Sequence, residues 1–458
     1  MVEVLPIETP PLGDRSYLVH DGEAALVIDP QRDIDRVMAL ASDAGVRVTH
    51  VAETHVHNDY VTGGLALARA AGAAYLVNAD DPVSFDRTPV SDGDQVAIGR
   101  MRVRALATPG HTYTHLAYVV EAAGDAAGGG VAGVFTGGSL LYGSTGRTDL
   151  LGPDATAALT RAQWASARRL ARELPDTARI FPTHGFGSFC SATQSEAASS
   201  TIGHEMLVNP VLTLDESSYV ESLLAGLDAW PAYYAHMAPA NLAGPAGPDL
   251  SPPRPAGAGE LRRRAEAGEW VVDLRDRIAF AAGHVPGTFS FPLDNRFATY
   301  LGWMIPWGTP LTLLGDSPGQ VAQAQRDLAR IGIDRPAAAA TGRPETWAGE
   351  RGLVSLRLAK FGDLAAALGA GNGRPVVLDV RRRLEWQESH IAGAVHIPLH
   401  ELPGRVAELP SGEVWVHCGS GYRSILAASI LAAHGRSVVS VNDDFDSAAA
   451  AGLPMERA

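Results

Sequence analysis

The sequence predicts an α/β protein of about three domains. The chain has 458 residues, and a domain commonly holds roughly 100–200 residues. Short apolar runs alternate with helical patterns along most of the chain, which is typical of sheets covered by helices. The stretch 238–259 is rich in Pro, Gly and Ala, so we expect a linker there. The expected domains are therefore 1–237, 260–350 and 355–458.

Composition excludes several classes of protein. Hydrophobic residues make up 46% of the chain and charged residues 19%, which excludes a largely disordered protein. The net charge of −14 argues against nucleic acid or a membrane surface as a partner. The two cysteines, Cys190 and Cys418, exclude a disulfide scaffold. The N-terminus does not have the pattern of a secretory signal, and no apolar run reaches about 18 residues, so we expect a cytoplasmic protein.

Apolar runs in the first domain predict strands, and two longer segments predict helices. The expected strands are 25–28, 46–52, 74–77, 103–107, 116–120 and 131–135. One helix is expected over 33–44, capped by Asp33 and stopped by Gly45, and a second over 155–173.

Histidines follow three of the apolar runs. His55, His57 and Asp59 follow one strand, His111 follows another, and His184 follows a short run at 180–181. Neutral imidazole is the commonest metal donor in proteins, and Asp is a hard anionic one. Because loops at strand ends converge in α/β folds, the sequence predicts a metal site built from these five side chains.

The metal motifs resemble those of the metallo-β-lactamase fold, an αββα sandwich. Phe135-Thr136-Gly137 followed by Gly146-Arg147-Thr148-Asp149 is similar to the persulfide dioxygenase and glyoxalase II branch. The resemblance covers about 1–235. It implies one Fe(II), with Zn²⁺ as the alternative, and no organic cofactor. It also implies oxidation of a thiol persulfide to sulfite, with His55 and His111 as ligands, and it allows a homodimer.

Two positions depart from that family's pattern. Gly138 stands where the family has its third ligand, an Asp, and Tyr60 stands where a further His is usual. A binuclear zinc thioester hydrolase needs both missing groups and is disfavoured. Three alternatives stay open: a face of His55, His57 and His111, a carboxylate replaced by Asp59 or water, or the loss of metal binding.

Two further features of this domain have more than one interpretation. Arg147 and Asp149 either line a substrate pocket, where Arg would pair with a carboxylate, or form a buried pair that orders their loop. Cys190 is expected to be a packed small hydrophobe rather than a reactive thiol.

The remainder of the chain contains an internal repeat. Residues 271–275 resemble 377–381, and 283–287 resemble 389–393, both at an offset of 106. Two copies of one α/β fold with parallel sheets are therefore expected. An offset near 102 further along would align Asp316 with Cys418 and Val321 with Arg423.

A cysteine loop lies in the second copy, between a strand at 414–417 and a helix at 424–434. The loop comprises Cys418, Gly419, Ser420, Gly421, Tyr422 and Arg423. Converging N–H groups, the helix N-terminus and the Arg423 charge would all favour a thiolate or a persulfide anion on Cys418.

This loop resembles the active loop of rhodanese sulfurtransferases, and 379–398 match the rest of that family's pattern. The resemblance implies that Cys418 accepts a sulfane sulfur from thiosulfate or a low-molecular-weight thiol persulfide and passes it to a thiol. The first copy has no such nucleophile or cation and is expected to be an inactive rhodanese-like domain. The leading hypothesis is a persulfide-oxidising sulfurtransferase. The alternatives are a sulfurtransferase with a degenerate metal domain, a zinc thioester hydrolase and a persulfide sensor.

Overall fold

The computed structural model describes residues 2–122, 130–192, 197–370 and 374–457. It contains two compact units, one made of Met1–Asp249 with Leu328–Gly332 and the other of Leu250–Asp327 with Ile333–Ala458. Both units contain sheets covered by helices, so the predicted α/β class is confirmed. The three predicted domain boundaries stay predictions. Within the described ranges, every helix is too short or too polar to cross a membrane.

The first unit contains two six-stranded sheets. The first sheet has the order β1-β2-β3-β4-β5-β6 and is parallel from β3 onward. Its strands are β1 (Glu3–Thr9), β2 (Asp14–His20), β3 (Ala24–Ile28), β4 (Arg47–Ala52), β5 (Ala74–Asn78) and β6 (Thr88–Val90), and its helices are α1 (Asp35–Asp43) and α2 (Gly64–Ala71).

The second sheet has the order β12-β11-β10-β9-β8-β7 and is mainly antiparallel. Its strands are β7 (Gln95–Ile98), β8 (Met101–Ala107), β9 (Leu116–Ala122), β10 (Val131–Gly137), β11 (Arg179–Pro182) and β12 (Ser200–Thr201). Its helices are α3 (Pro153–Glu173), α4 (Ile202–Val208), α5 (Pro210–Thr213), α6 (Glu216–Gly226) and α7 (Tyr234–Ala243).

The two sheets pack face to face, with helices outside them. Tyr17 of the first sheet contacts Phe135 and Phe181 of the second, with ring centroids 5.2 and 5.5 Å apart. The outer faces bury separate apolar clusters, with Leu65 on one side and Leu170 on the other. This layer order of helices, sheet, sheet and helices confirms the predicted αββα sandwich.

Local differences from the sequence predictions have physical reasons. The hairpin of β1 and β2 was not predicted, since Pro6 interrupts the apolar pattern; as the edge strand, β1 tolerates a proline. Helix α1 begins at Asp35, and its N-cap, Ile34, makes no side-chain capping bond. The predicted cap at Asp33 is therefore wrong, because that carboxylate pairs with Arg36 at 2.8 Å.

The predicted linker begins inside a helix. Residues 238–243 continue α7, and Pro239 lies within that helix. The helix is anchored by the buried Asn241, whose amide donates to the carbonyl oxygens of His57 and Tyr60, both at 2.9 Å. A side-chain contact of this kind leaves no compositional signal.

The second unit contains two α/β halves. The first half has a four-stranded parallel sheet of order β14-β13-β15-β16. Its elements are α8 (Ala258–Glu266), β13 (Trp270–Asp273), α9 (Arg277–Ala282), β14 (Phe289–Ser290), α10 (Phe297–Met304), β15 (Leu311–Gly315), α11 (Pro318–Arg330), β16 (Ala338–Thr341) and α12 (Pro344–Ala348).

The second half has a five-stranded parallel sheet of order β17-β22-β21-β18-β20 and a separate antiparallel pair, β19 and β23. Its elements are β17 (Arg357–Ala359), α13 (Phe361–Gly369), β18 (Val376–Asp379), α14 (Arg383–Glu388), β19 (His390–Ile391), β20 (Val395–His396), α15 (Leu402–Arg405), β21 (Val414–His417), α16 (Tyr422–Ala433), β22 (Val438–Val441), α17 (Ser447–Ala450) and β23 (Met455–Glu456).

Candidate metal centre and cysteine loop

The four predicted histidines are buried and meet at one end of the sandwich. His55 and His57 follow β4, His111 follows β8, and His184 follows β11, and each is at most 1% exposed. The ring centroid of His55 lies 4.2 Å from that of His57, 4.8 Å from that of His111 and 5.3 Å from that of His184. The structure therefore brings these four predicted residues together. We call them the histidine cluster.

Outer hydrogen bonds orient three of the rings. Nδ1 of His55 lies 2.9 Å from the Thr54 hydroxyl, and Nδ1 of His111 lies 2.7 Å from the carbonyl oxygen of Arg147. Nδ1 of His184 lies 2.9 Å from an Asp14 carboxylate oxygen. Each Nε2 is thereby left for the cluster, as in metal sites whose ligands are held from behind. Nε2 of His55 and Nε2 of His184 lie 3.3 Å apart.

The ring of His57 has the opposite orientation, because its outer contacts are made by Nε2. Its Nε2 lies 3.2 Å from Asp29, 3.2 Å from Glu53 and 2.9 Å from the Tyr60 hydroxyl. Nδ1 is therefore the nitrogen that remains available. Tyr60, which replaces the usual histidine, supports His57 instead of acting as a ligand.

A cation fits this donor set. Nδ1 of His57 and Nε2 of His111 are buried and have no hydrogen-bond partner among the described residues. An unpaired buried polar group costs about 1–3 kcal/mol, and a metal ion between the rings would satisfy both. Nitrogen atoms of His55, His57 and His184 lie within 4.8 Å of one another, and so do donor atoms of His111, His184 and Cys190.

The histidines of the cluster differ in pKa because their burial and their charged neighbours differ. Burial, reinforced by the charge of His184, lowers the pKa of His111 to about 3. Burial also lowers the pKa of His55 well below its usual range. Burial alone would lower the pKa of His57, but Asp29 and Glu53 raise it to about 9. His55 and His111 therefore stay neutral at pH 7, as a metal ligand requires.

Asp59 lies behind His184. One of its oxygens is 3.2 Å from Nδ1 of His184 and 3.3 Å from the Ser188 hydroxyl. Burial and the neighbouring Asp59 raise the pKa of Asp14 to about 8, so this pair holds a proton. Because both carboxylates contact the Nδ1 side of the His184 ring, they orient His184, and a direct ligand role for Asp59 stays a prediction.

The space at Gly138 is filled by His111. A Cβ at position 138 would overlap the imidazole ring of His111, and one at Gly146 would be 2.7 Å from its Nδ1. Gly138 and Gly146 therefore line the space that the His111 ring occupies. The family's aspartate does not fit at Gly138 while His111 occupies this position.

The buried Arg147 forms an ion pair with the partly exposed Asp149. The guanidinium donates to both Asp149 oxygens at 2.7 Å, and to the carbonyl oxygens of Phe189 at 3.2 Å and Asp228 at 2.6 Å. With Nε, Nη1 and Nη2 all engaged, the arrangement favours the loop-ordering alternative. The assignment of either residue to a substrate pocket stays a prediction.

Several residues of the site were not predicted. Asp14, Asp29, Glu53 and Asn241 hold the histidines through the contacts given above. Each is a single polar residue in an ordinary stretch of sequence. All four are buried, which would have been the signal, and only the fold shows it.

The cysteine loop joins β21 to α16 in the second half of the second unit. Cys418 is 1% exposed, and the Gly421 N–H donates to its Sγ at 3.2 Å. Gly421 has a φ of +92°, which suits glycine, and it caps the helix. The Phe445 N–H donates to the Gly419 carbonyl at 2.9 Å, while Ser420 lies exposed.

Two other loop residues are held from outside the loop. Arg423 donates to both carboxylate oxygens of Glu385 at 2.6 and 2.7 Å. Although burial opposes it, these bonds lower the pKa of Glu385 to about 2. The Arg423 charge is therefore paired with Glu385, and its effect on Cys418 stays a prediction. The ring of Tyr422 lies 3.7 Å from the guanidinium of Arg296, a residue of the first half.

Comparison with known proteins finds families similar to two stretches of the chain. The metallo-β-lactamase superfamily matches residues 10–184, and the rhodanese-like domain matches residues 362–451. The human mitochondrial persulfide dioxygenase ETHE1 is 28% identical over 210 residues, which are 45% of this chain and 74% of that protein. A probable metallo-hydrolase of Burkholderia pseudomallei is 32% identical over 234 residues, which are 42% of this chain and 75% of that protein.

A solved structure supports the same fold. A metallo-β-lactamase from Staphylococcus aureus is 26% identical, with a TM-score of 0.66, over 75% of this chain and 99% of its own. Together with the family matches, this likeness confirms the fold predicted for the first domain and for the last one. The first half of the second unit stays a prediction as a rhodanese-like domain.

Proposed function

Because the chain belongs to the metallo-β-lactamase superfamily, we propose that its first unit is a metal-dependent oxidase of thiol persulfides, joined to a sulfurtransferase that works through Cys418. The proposed reaction is RSSH + O₂ + H₂O → RSH + SO₃²⁻ + 2H⁺, in which the sulfane sulfur is oxidised and O₂ is reduced. The similarity to persulfide dioxygenases supports this choice of substrate.

The histidine cluster would hold one ion, through His55, His57, His111 and His184. A redox-active ion such as Fe(II) would supply the electron transfer to O₂ that this oxidation needs. The surrounding residues have defined tasks. Asp29 and Glu53 hold a proton on Nε2 of His57, so that its Nδ1 faces the cluster. Burial of all four rings excludes bulk water from the donor atoms.

The transfer step would take place at the cysteine loop. The Cys418 thiolate attacks the outer sulfur of a donor, such as thiosulfate or a thiol persulfide, and the donor's S–S bond breaks. Sulfite or the carrier thiolate leaves with the bonding electron pair. An acceptor thiolate then attacks the sulfur held on Cys418 and regenerates the cysteine. The Gly421 N–H, which points at Sγ, would stabilise the anion in both states.

One observation carries the proposal. The chain combines a buried cluster, in which two histidine nitrogens have no hydrogen-bond partner among the described residues, with a thiol at the start of a helix. The binuclear hydrolase has less support, since the structure uses Tyr60 as a support for His57 and fills the space at Gly138 with His111.

Oxygen uptake tests the proposal. The protein is purified without oxygen, loaded with Fe(II), and given a thiol persulfide in an oxygen electrode, with sulfite measured in parallel. We expect stoichiometric uptake and sulfite, both lost in His111→Ala. The exposed His204→Ala is the control and retains both. Iron-loaded protein that consumes no oxygen contradicts the oxidase.

A second candidate function is that of a sulfurtransferase whose first unit no longer catalyses a metal-dependent reaction. The observation that favours it is Gly138, which removes the family's anionic ligand. It predicts sulfur transfer through Cys418 without oxygen uptake and without stoichiometric metal.

A further inference from the structure

A cysteine lies beside the histidine cluster, and the sequence motifs do not indicate it. The Cys190 thiol is fully buried, and its Sγ lies within 4.8 Å of ring nitrogens of His111 and His184. Nε2 of His111 is buried and unpartnered within the described part of the chain. A soft sulfur donor therefore lies near two rings of the cluster, and one of these rings has an unsatisfied nitrogen.

The backbone holds Cys190 and His111 together. The Arg147 N–H donates to the Cys190 carbonyl at 2.7 Å, and the Arg147 carbonyl lies 2.7 Å from Nδ1 of His111. An isolated bridge between Gly146 and Ser191 continues this pairing. The backbone of Arg147 therefore contacts both Cys190 and His111. The ion pair between Arg147 and Asp149 holds in place the segment that makes these two contacts.

The cluster also needs an anion. Imidazole ligands carry no negative charge and leave the charge of a divalent ion uncompensated, and Gly138 supplies no carboxylate. Asp14 and Asp59 contact His184 on its Nδ1 side, away from the Nε2 that faces the cluster. Cys190, whose Sγ lies beside the His111 and His184 rings, can carry a negative charge, and thiolate suits Fe(II), Co(II) and Zn²⁺.

We infer that Cys190 is a thiolate ligand of the metal centre and takes the place of the carboxylate that Gly138 lacks. Binding exchanges the thiol S–H bond for a sulfur–metal bond, and the proton leaves to solvent. No oxidant or reductant is involved. The inference rests on the proposed function, because it needs an ion in the histidine cluster.

Cobalt substitution tests the ligand directly. Chelator-treated protein is loaded with Co(II), bound metal per chain is measured by elemental analysis, and the near-ultraviolet spectrum is recorded. We expect one Co(II) per chain and a thiolate-to-cobalt charge-transfer band. Cys190→Ser should lose the band and bind Co(II) at least about 10-fold more weakly in competition with a chromophoric chelator. Cys418→Ser, which removes the other cysteine, is the matched control and should keep the band.

A second measurement tests the inference without Cys190→Ser, in case that variant does not fold. X-ray absorption of Zn²⁺-loaded Cys418→Ser, which keeps Cys190 as its one cysteine, should show a sulfur scatterer at about 2.3 Å from the metal. One bound ion with neither the band nor the scatterer overturns the inference and leaves the metal site of the proposed function intact. Protein that binds no metal overturns both. A band that persists in Cys190→Ser overturns the inference alone.

Discussion

The two halves of the second unit share a framework and differ in one loop. In each half an Asp-x-Arg pair forms a buried clamp, with the shortest N–O distance 2.6 Å for Asp273 and Arg275 and 2.7 Å for Asp379 and Arg381. Each arginine also donates to a carbonyl eight residues later, at 2.8 and 2.6 Å. The clamp therefore serves the fold, since it persists where the cysteine does not.

A stacked histidine follows each clamp. His284 lies on Phe280 with centroids 3.9 Å apart, and His390 lies on Trp386 at 3.6 Å, both at an interplanar angle of 13°. Both rings place Nδ1 near the carbonyl oxygen of the residue beneath them. The repeat seen in the sequence is thus a repeat of packing, which supports our proposal that the first half is rhodanese-like.

Sheet register corrects the sequence alignment of the two loops. Asp273 lies beside Leu314, and its counterpart Asp379 lies beside His417. Cys418 therefore corresponds to Gly315, one residue before the predicted Asp316. By the same register Arg423 corresponds to Gln320 instead of Val321. The conclusion that the first half has no nucleophile and no cation is unchanged.

The largest expected effect comes from Cys418→Ser. A serine hydroxyl is a far weaker nucleophile and forms no persulfide, so sulfur transfer from thiosulfate to cyanide should fall by at least about 10³-fold. Thiocyanate formation measures it. Asp316→Ala, in the exposed loop of the first half, should transfer sulfur at the wild-type rate. Transfer at the wild-type rate in Cys418→Ser would contradict the role of Cys418 as the sulfur acceptor.

The second largest effect is expected from a substitution that breaks either Asp-x-Arg clamp. Arg275→Met and Arg381→Met each leave a buried aspartate unpaired, so each should destabilise its half by about 3–5 kcal/mol. Amide hydrogen exchange of peptides from β13 and β18 in the full chain reports the two halves separately. The exposed Arg262→Met is the control. If only Arg381→Met destabilises, the clamp belongs to catalysis rather than to the framework.

The sequence predicts some parts of these sites better than others. The His-x-His-x-Asp motif and the Cys418 loop are local, so their spacing alone indicates their chemistry. Partners far away in the chain are different: Asn241 reaches His57 over 184 residues, and Glu385 reaches Arg423 over 38. Only folding brings such pairs together. Cys190 was expected to be a packed hydrophobe because nothing in its neighbourhood shows that His111 lies beside it.

His417 gives the half that carries Cys418 a pH dependence that the equivalent position of the first half lacks. Burial lowers its pKa to about 4, and Leu314 stands in its place in the first half. The folded state therefore favours the neutral ring. This half should be fully stable above pH 6.5 and lose about 2 kcal/mol by pH 5. His417→Gln should remove that loss, seen as hydrogen exchange of β21 at the two pH values. The exposed His434→Gln is the control, and an equal loss in both variants contradicts the assignment.

The smallest expected effect comes from the pair that positions Arg423. Glu385→Gln keeps the size of the side chain but removes the charge and one acceptor oxygen, so the two-point contact at 2.6 and 2.7 Å is lost. Hydrogen bonds to charged groups contribute about 1.5–3 kcal/mol, and we expect kcat/KM for sulfur transfer to fall about tenfold. The exposed Glu388→Gln, on the same helix, should have no effect. In the first half, Ala279 and Gln320 stand at these two positions, so the partner is absent where the cation is absent. Unchanged kcat/KM in Glu385→Gln would mean that the loop backbone alone orients Arg423. The functional difference between the two halves would then come from Cys418 and Arg423, and Glu385 would contribute nothing to it.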